Sequence, residues 1–344
     1  MLTALRKILG IVIIAASFIV GWLLMDMRTF MVTPLNIPDT GYNYTIAPNA
    51  TLKRFAYDLD DAGVLTHPGY LILLARWNEL SGKIKAGEYH FLQGITPERL
   101  LQQVIQGKVV QHSLTVVEGW TFRQLMDAIR KDEKLIQTLQ ALDDASIMAR
   151  LGLPERHPEG LFYPDTYYFL RDTTDLEILE RAYRTMERRL MAEWESRAED
   201  LPLQTPYEAL ILASIIERET ALPQERAQIA GVFTRRLKRG MPLQTDPTVI
   251  YGLGEAFDGN LRRRDLLAES PYNTYRIKGL PPTPIALPHG DSIHAALHPA
   301  DGDAIFFVSR GDGSHEFSAT LVGHNDAVRK FQLNKNAPDR PVKR

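Results

Sequence analysis

The chain reads as an α+β protein with three parts: an N-terminal membrane-spanning helix, a small module of helices and strands, and a larger, mainly helical domain that also holds strands. Three observations lead there. Ile8 to Met25 is an uncharged stretch of 18 residues, helical spacing of apolar residues dominates the middle of the chain, and short strand-like runs such as His112 to Val117 and Ala304 to Ser309 punctuate it. With 344 residues and 44% hydrophobic content the chain can bury more than one core. A formal net charge of -2 argues against a nucleic-acid partner, for which a basic surplus is expected. The absence of cysteine excludes disulfides and thiolate metal sites.

The elements follow in order. Eighteen helical residues rise roughly 27 Å, enough to cross the hydrocarbon of a bilayer with little tilt. Arg6 and Lys7 precede this span and Asp26 and Arg28 follow it, so residues 1–7 are expected inside and the body outside. No small-x-small pattern follows Met25, which points to an uncleaved anchor over 8–25 rather than a removed signal peptide. Residues 26–43 hold Pro34, Pro38 and Gly41 with little periodicity and read as a linker. A small module over 44–110 is signalled by a helical pattern at Leu52, Phe55, Ala56, Leu59 and Val64, an extended Lys85 to Phe91, and a helix after Thr96-Pro97 reaching Ile105.

The larger domain, 111–335, opens with the strand-like His112 to Val117 and a turn at Glu118-Gly-Trp120. Residues 121 to 200 are mostly helical, broken by a Pro- and Tyr-rich loop from Glu159 to Tyr168. From Ala209 to Ile216 only Ser214 is polar, which predicts a helix buried on most sides and ended by Leu222 before Pro223. Pro223 opens another helix, with Ile229, Val232, Phe233 and Leu237 on one face and Gly240 closing it. Asp246 before Pro247 reads as an N-cap or a binding residue. Ala304 to Ser309 and Glu316 to Leu321 read as strands around a Gly-Asp-Gly turn, and 336–344 as a tail.

Chemistry concentrates at the end of the apolar helix, where Glu217-Arg218-Glu219-Thr220 follow it. A carboxylate there is costly unless it has a partner or a job, and apolar neighbours with the negative end of the helix dipole favour its protonated form. That is how a general acid is made at neutral pH. Residues two apart on a helix point about 200° away from each other, so Glu217 and Glu219 cannot act on one bond together. Glu217 is the expected acid, since Ala213 and Ser214 one turn back leave room for a ligand; Glu219, beside Arg218 and Thr220, is expected to hold structure. Gln244, Tyr251, Asn273 and Tyr275 are hydrogen-bonding and stacking groups of the kind that line a sugar groove.

The segments Glu159-Gly-Leu-Phe-Tyr-Pro-Asp-Thr-Tyr167, Ala213-Ser-Ile-Ile-Glu-Arg-Glu-Thr220, Leu243-Gln-Thr-Asp-Pro-Thr-Val-Ile-Tyr251, Ser270-Pro-Tyr-Asn-Thr-Tyr275 and Gly279-Leu-Pro-Pro-Thr-Pro-Ile285 occur in this order. Together they resemble the YceG-like, MltG-type endolytic murein transglycosylases, from about Tyr44 to the chain end. Thr283 departs from the glycine frequent in the family's Pro-Pro-x-Pro turn. The resemblance implies a LysM-like module, which either binds glycan or only packs, and a catalytic domain whose acid is the first Glu of Glu-x-Glu, here Glu217. It implies a substrate site with Gln244, Thr245, Asp246, Tyr251, Asn273 and Tyr275, and support from Ser214, Glu219 and Glu159.

What the resemblance implies functionally is cutting of peptidoglycan glycan strands between N-acetylmuramic acid and N-acetylglucosamine, leaving a 1,6-anhydro end and limiting strand growth. It implies a single-pass protein of the inner (cytoplasmic) membrane with its body periplasmic or extracytoplasmic, cell-wall synthases as partners, and no cofactor. Two alternatives stay open: a hydrolytic muramidase with Glu219 or Asp246 as second carboxylate, and a non-enzymatic glycan-binding scaffold. His294 and His298, four apart with Asp291 one turn before, have metal-ligand spacing. With no strong third ligand in the sequence they are expected to be a solvated face, with Asp291 as N-cap and no metal. Arg262-Arg263-Arg264 is expected to be an exposed face or an attractor of anionic murein groups.

Overall fold

The structure, a computed structural model, describes residues 2–333; the tail expected at 336–344 lies outside the described residues. Helix α1 (Leu2–Val32) holds a stretch, Arg6–Val32, whose most apolar 18-residue window has a mean hydropathy of 2.7 and is not buried; it is long and apolar enough to cross a membrane. The expected linker is helical in its first part, because no proline or glycine occurs between Asp26 and Pro34. Nor is the segment a free spacer: Met31, Leu35 and Ile37 are buried in the core of the following module.

The chain forms two compact units. The first runs to His112 and adds Tyr168–Asp172. It contains β1 (Tyr42–Ile46), α2 (Leu52–Asp61), α3 (Pro68–Trp77), β2 (Gly87–Phe91) and α4 (Pro97–Gln106). β1 and β2 pair antiparallel, with Tyr42 opposite Phe91 and Ile46 opposite Gly87. Thr51 and Thr96 cap α2 and α4 by accepting the Arg54 and Arg99 N–H groups. Phe55, Leu59, Tyr89, Phe91, Leu100 and Val104 close the core between sheet and helices. Helix α3 is absent from the sequence reading, since its run Leu71-Ile-Leu-Leu-Ala75 carries no period that separates helix from strand.

β3 (His112–Thr115) belongs to the second of the three two-stranded sheets among the described residues. Along the chain there follow α5 (Phe122–Lys131), α6 (Asp144–Arg150), the other strand of that sheet, β4 (Thr166–Phe169), and α7 (Asp175–Glu195). Next come α8 (Pro206–Glu219), α9 (Pro223–Lys238), α10 (Asp246–Leu253), α11 (Arg263–Leu267) and α12 (Gly290–Leu297). β5 (Phe306–Ser309), β6 (His315–Ser318) and α13 (Leu321–Val328) follow. β5 and β6 pair antiparallel, Phe306 opposite Ser318 and Ser309 opposite His315. The second strand stops short of Leu321 because Thr320 accepts the Gly323 N–H and caps α13.

α8 is the hub of this unit, with α7, α9, α10 and α12 packed around it. Every residue from Ala209 to Ile216 is buried, as an almost wholly apolar helix requires. The helix ends at Glu219, three residues before the expected stop. Thr220 is already extended and its hydroxyl accepts the Leu222 N–H, a local turn that competes with another helical residue.

Candidate active site

Three successive side chains leave the end of α8 toward three different surroundings, as about 100° per residue requires. The Glu217 side chain is 4% exposed; it accepts the His289 N–H at 2.9 Å and lies 3.7 Å from Arg226 Nη2. Arg226 also donates to Asp291 at 3.1 Å. The apolar setting expected for Glu217 is therefore not what it meets: it sits in a charged, hydrogen-bonded knot joining α8, α9 and the start of α12. Arg218 turns outward and donates to the Gly119 carbonyl at 3.2 Å.

Glu219 faces a cavity of about 460 Å³, which it lines with Arg236, Gln244, Asp246, Tyr275, His315 and the aromatic edge of β5 at Phe306 and Phe307. Thr245 donates its hydroxyl to Glu219 Oε2 at 2.6 Å. Burial pushes the Glu219 carboxyl above the ordinary carboxylate range, against the Thr245 hydrogen bond and the field of His315. The environment predicted for a general acid is thus met by the second glutamate. Gln244, Thr245 and Asp246 alternate outward, inward and outward, so Gln244 and Asp246 reach the cavity while Thr245 is buried behind them. Gln244 holds a left-handed backbone at φ +52°, strain of the kind kept at functional sites. Tyr275 donates to Asp246 at 2.6 Å. Asp246 is the first residue of α10, and Thr245, not Asp246, occupies the cap position.

Other expected site residues are brought elsewhere. Asn273 is 1% exposed; its amide donates to the carbonyls of Leu266 and Ala268, and its oxygen accepts the Tyr275 N–H, so it builds the loop that presents Tyr275. Ser214 leaves no room for a ligand: it donates to the Ile211 carbonyl and accepts the Ile285 N–H, tying α8 to the Pro-Pro turn. Tyr251 donates to Glu159 at 3.0 Å and lines a second cavity of about 350 Å³ with Gly119, Arg123 and Arg218. Glu159 also accepts the Phe122 N–H at 2.9 Å, and burial pushes its carboxyl up to about 7. Gly160 is required beside it, because at φ +81° a Cβ would stand 2.4 Å from the Pro284 ring. Thr283 donates to the Pro284 carbonyl at 2.8 Å within the same turn.

A family model for the YceG-like family matches residues 44–330. The chain belongs to the YceG-like family. An endolytic murein transglycosylase of Bacillus subtilis (strain 168) is 32% identical over 314 residues, covering 86% of each chain. One from Streptococcus pneumoniae is 26% identical over 297 residues, covering 77% of this chain and 53% of that one. A crystal structure of a putative YceG-like protein from Listeria monocytogenes shares 29% identity with a TM-score of 0.53, covering 84% of this chain and 99% of that one.

Within this YceG-like chain the sequence reading missed Arg236 and His315. Arg236 is buried, donating to the Ile305 and Leu243 carbonyls and, at 3.3 Å, to the Gln244 side chain. His315 pairs its Nδ1 with Glu225 Oε2 at 2.7 Å, and its N–H reaches Glu225 Oε1. Nothing in the local pattern marks either residue. Each is recruited from a helix or strand whose own period is unremarkable, and the partners of His315 lie 90 residues away. Arg262, Arg263 and Arg264 are exposed, Arg262 paired with Asp258 at 2.6 Å. His289, not Asp291, is the cap of α12.

Proposed function

We propose that this protein is an endolytic murein transglycosylase, a lytic enzyme that cleaves the glycan strands of peptidoglycan, and that Glu219 is its catalytic acid. The observation carrying the residue assignment is that Glu219, rather than Glu217, opens on the cavity shared by Gln244, Asp246 and Tyr275. This departs from the first-Glu assignment that the resemblance implies. Thr245 holds one oxygen of Glu219, leaving the other to the substrate. Glu219 protonates the glycosidic oxygen as the C1–O bond breaks. As carboxylate it then takes the proton from the C6 hydroxyl of the N-acetylmuramic ring, whose oxygen closes on C1 to give the 1,6-anhydro end. One carboxylate suffices, because the attacking hydroxyl belongs to the substrate rather than to water. Gln244, Tyr275 and the Phe306 edge hold the sugars, and Arg236 and His315 set the field around the acid.

α1 anchors the protein in the cytoplasmic membrane, N-terminus inside and body outside, by the surplus of Arg6 and Lys7 before the span. The order strand, helix, helix, strand in the first unit supports a LysM-like reading of that module. Growing strands and the synthases that make them are the expected partners. Asp246 in the same cavity keeps a hydrolytic alternative distinguishable: water as attacker leaves a reducing end, one water heavier than the anhydro product.

Digestion of murein by the full-length protein, read by product mass, tests all of this. Anhydro ends are expected. Glu219→Gln should lower the rate by about 10²–10⁴-fold with folding intact. Glu217→Gln should keep most activity and lose about 1–3 kcal/mol of stability through its weakened tie to Arg226. The wild-type rate should fall as pH rises through the raised pKa of Glu219, since the first step needs the protonated acid. An inactive Glu217→Gln enzyme beside an active Glu219→Gln enzyme would reverse the assignment.

A further inference from the structure

Sequence spacing singles out His294 and His298 but supplies no third ligand. The fold does: Glu193, near the C-terminal end of α7, reaches them across the packed pair α7 and α12. Glu193 Oε2 stands 2.9 Å from His294 Nδ1 and 3.8 Å from His298 Nε2. The three ligand atoms all lie within 4.8 Å of one another. Two nitrogens and an oxygen bound tetrahedrally to one zinc ion sit about 3.3 Å apart, given bonds of about 2.0–2.2 Å, and the two separations from Glu193 bracket that value. The two imidazoles are stacked, centroids 4.3 Å apart, and one ring nitrogen of each lies near the same carboxylate oxygen. His298 Nε2 is buried and has no hydrogen-bond partner, a state that a buried polar atom does not hold without cost. Asp291, the neighbour the sequence offers, is committed to Arg226.

We propose that Glu193, His294 and His298 form a binding site for one divalent transition-metal ion, zinc being the best match to two imidazoles and a carboxylate, which staples α7 to α12. His294 is exposed, so a fourth position is open to water. None of the three residues lines the Glu219 cavity, and the metal has no part in the cleavage step. The inference therefore stands or falls independently of the proposed activity.

The test uses tag-free full-length protein in detergent micelles, stripped with EDTA and dialysed. Cobalt(II) is titrated with visible absorption as the readout and zinc by calorimetry, with thermal unfolding followed in parallel. One saturable site per chain is expected, with cobalt bands of low-coordinate intensity and an upward shift of Tm with zinc. Both His298→Ala and Glu193→Gln should weaken binding at least about tenfold and remove the Tm shift. Lack of stoichiometric binding to the wild-type protein would overturn the site whatever the variants do. So would unchanged affinity in both variants when their circular dichroism matches wild type; a bare His–Glu ion pair is then all that is present.

Discussion

A carboxyl group as buried as that of Glu159, 3% exposed, couples the stability of the domain to pH. Its pKa is raised to about 7 by burial, only partly countered by the Phe122 N–H and the Tyr251 hydroxyl. Below the unfolded value, about 4.5, both states carry the proton and the native state bears no penalty. Between there and 7 the unfolded chain ionises while the native chain keeps its proton, so stability falls as pH rises, by on the order of 3 kcal/mol, and then levels. Glu159→Gln should remove that share of the slope, leaving the same-signed contribution of Glu219. Urea unfolding of the two proteins at pH 4.5, 6 and 7.5 checks it: parallel pH profiles would show that the buried carboxyl does not carry the linkage.

Helix α8 shows how an element can be held by its neighbours rather than by its own sequence signals. Thr205 caps its start by accepting the Glu208 N–H, but four helices enclose its middle. Ile216 is fully buried one residue before the divergent Glu217-Arg218-Glu219 end. Ile216→Ala should cost about 2–5 kcal/mol, transfer and cavity terms together. It should also lower activity more than a truncation of equal cost far from the groove, because it loosens the turn that aims Glu219. Thermal unfolding and murein digestion of Ile216→Ala beside Ile129→Ala in α5 measure the difference. Equal activity losses at equal destabilisation would mean that α8 does not transmit aim to its last residue.

For the molecule as a whole, access to murein depends on which side of the membrane the second unit occupies. In the proposed topology, the Arg6 and Lys7 surplus before the uncharged stretch of α1 places the body outside the cytoplasm. A reporter active only after export, fused beyond Arg344, should therefore be active, and one active only in the cytoplasm should be silent. Moving the two charges by Arg6→Glu with Lys7→Glu, while adding Lys at Asp26 and Thr29, should lower the exported fraction. Cytoplasmic activity of the wild-type fusion would remove the substrate from the enzyme's reach.

The order of these parts was legible from local chemistry. Uncharged length marks the span, Thr96-Pro97 marks a helix start, and a nearly polar-free run marks α8 as buried on most sides; each is written within a few residues of where it acts. The five motifs in order were equally legible as a family pattern. Strand β4 and helix α3 were not, since short apolar or aromatic runs satisfy helix and strand alike. Nor was the setting of each glutamate. Helical period says that Glu217 and Glu219 diverge, but not which of them meets Thr245, 26 residues on, or Arg226. Asn273 looked free to bind sugar, and Ser214 to leave room for it, because a sequence lists donors and acceptors without their partners. Glu193 stands 101 residues before His294, and Arg236 and His315 join the groove from separate elements. Period and capping act through neighbours along the chain, so the sequence alone determined the elements. Burial, ion pairing and a cavity are made by surfaces remote in sequence, and they exist only once those surfaces have packed.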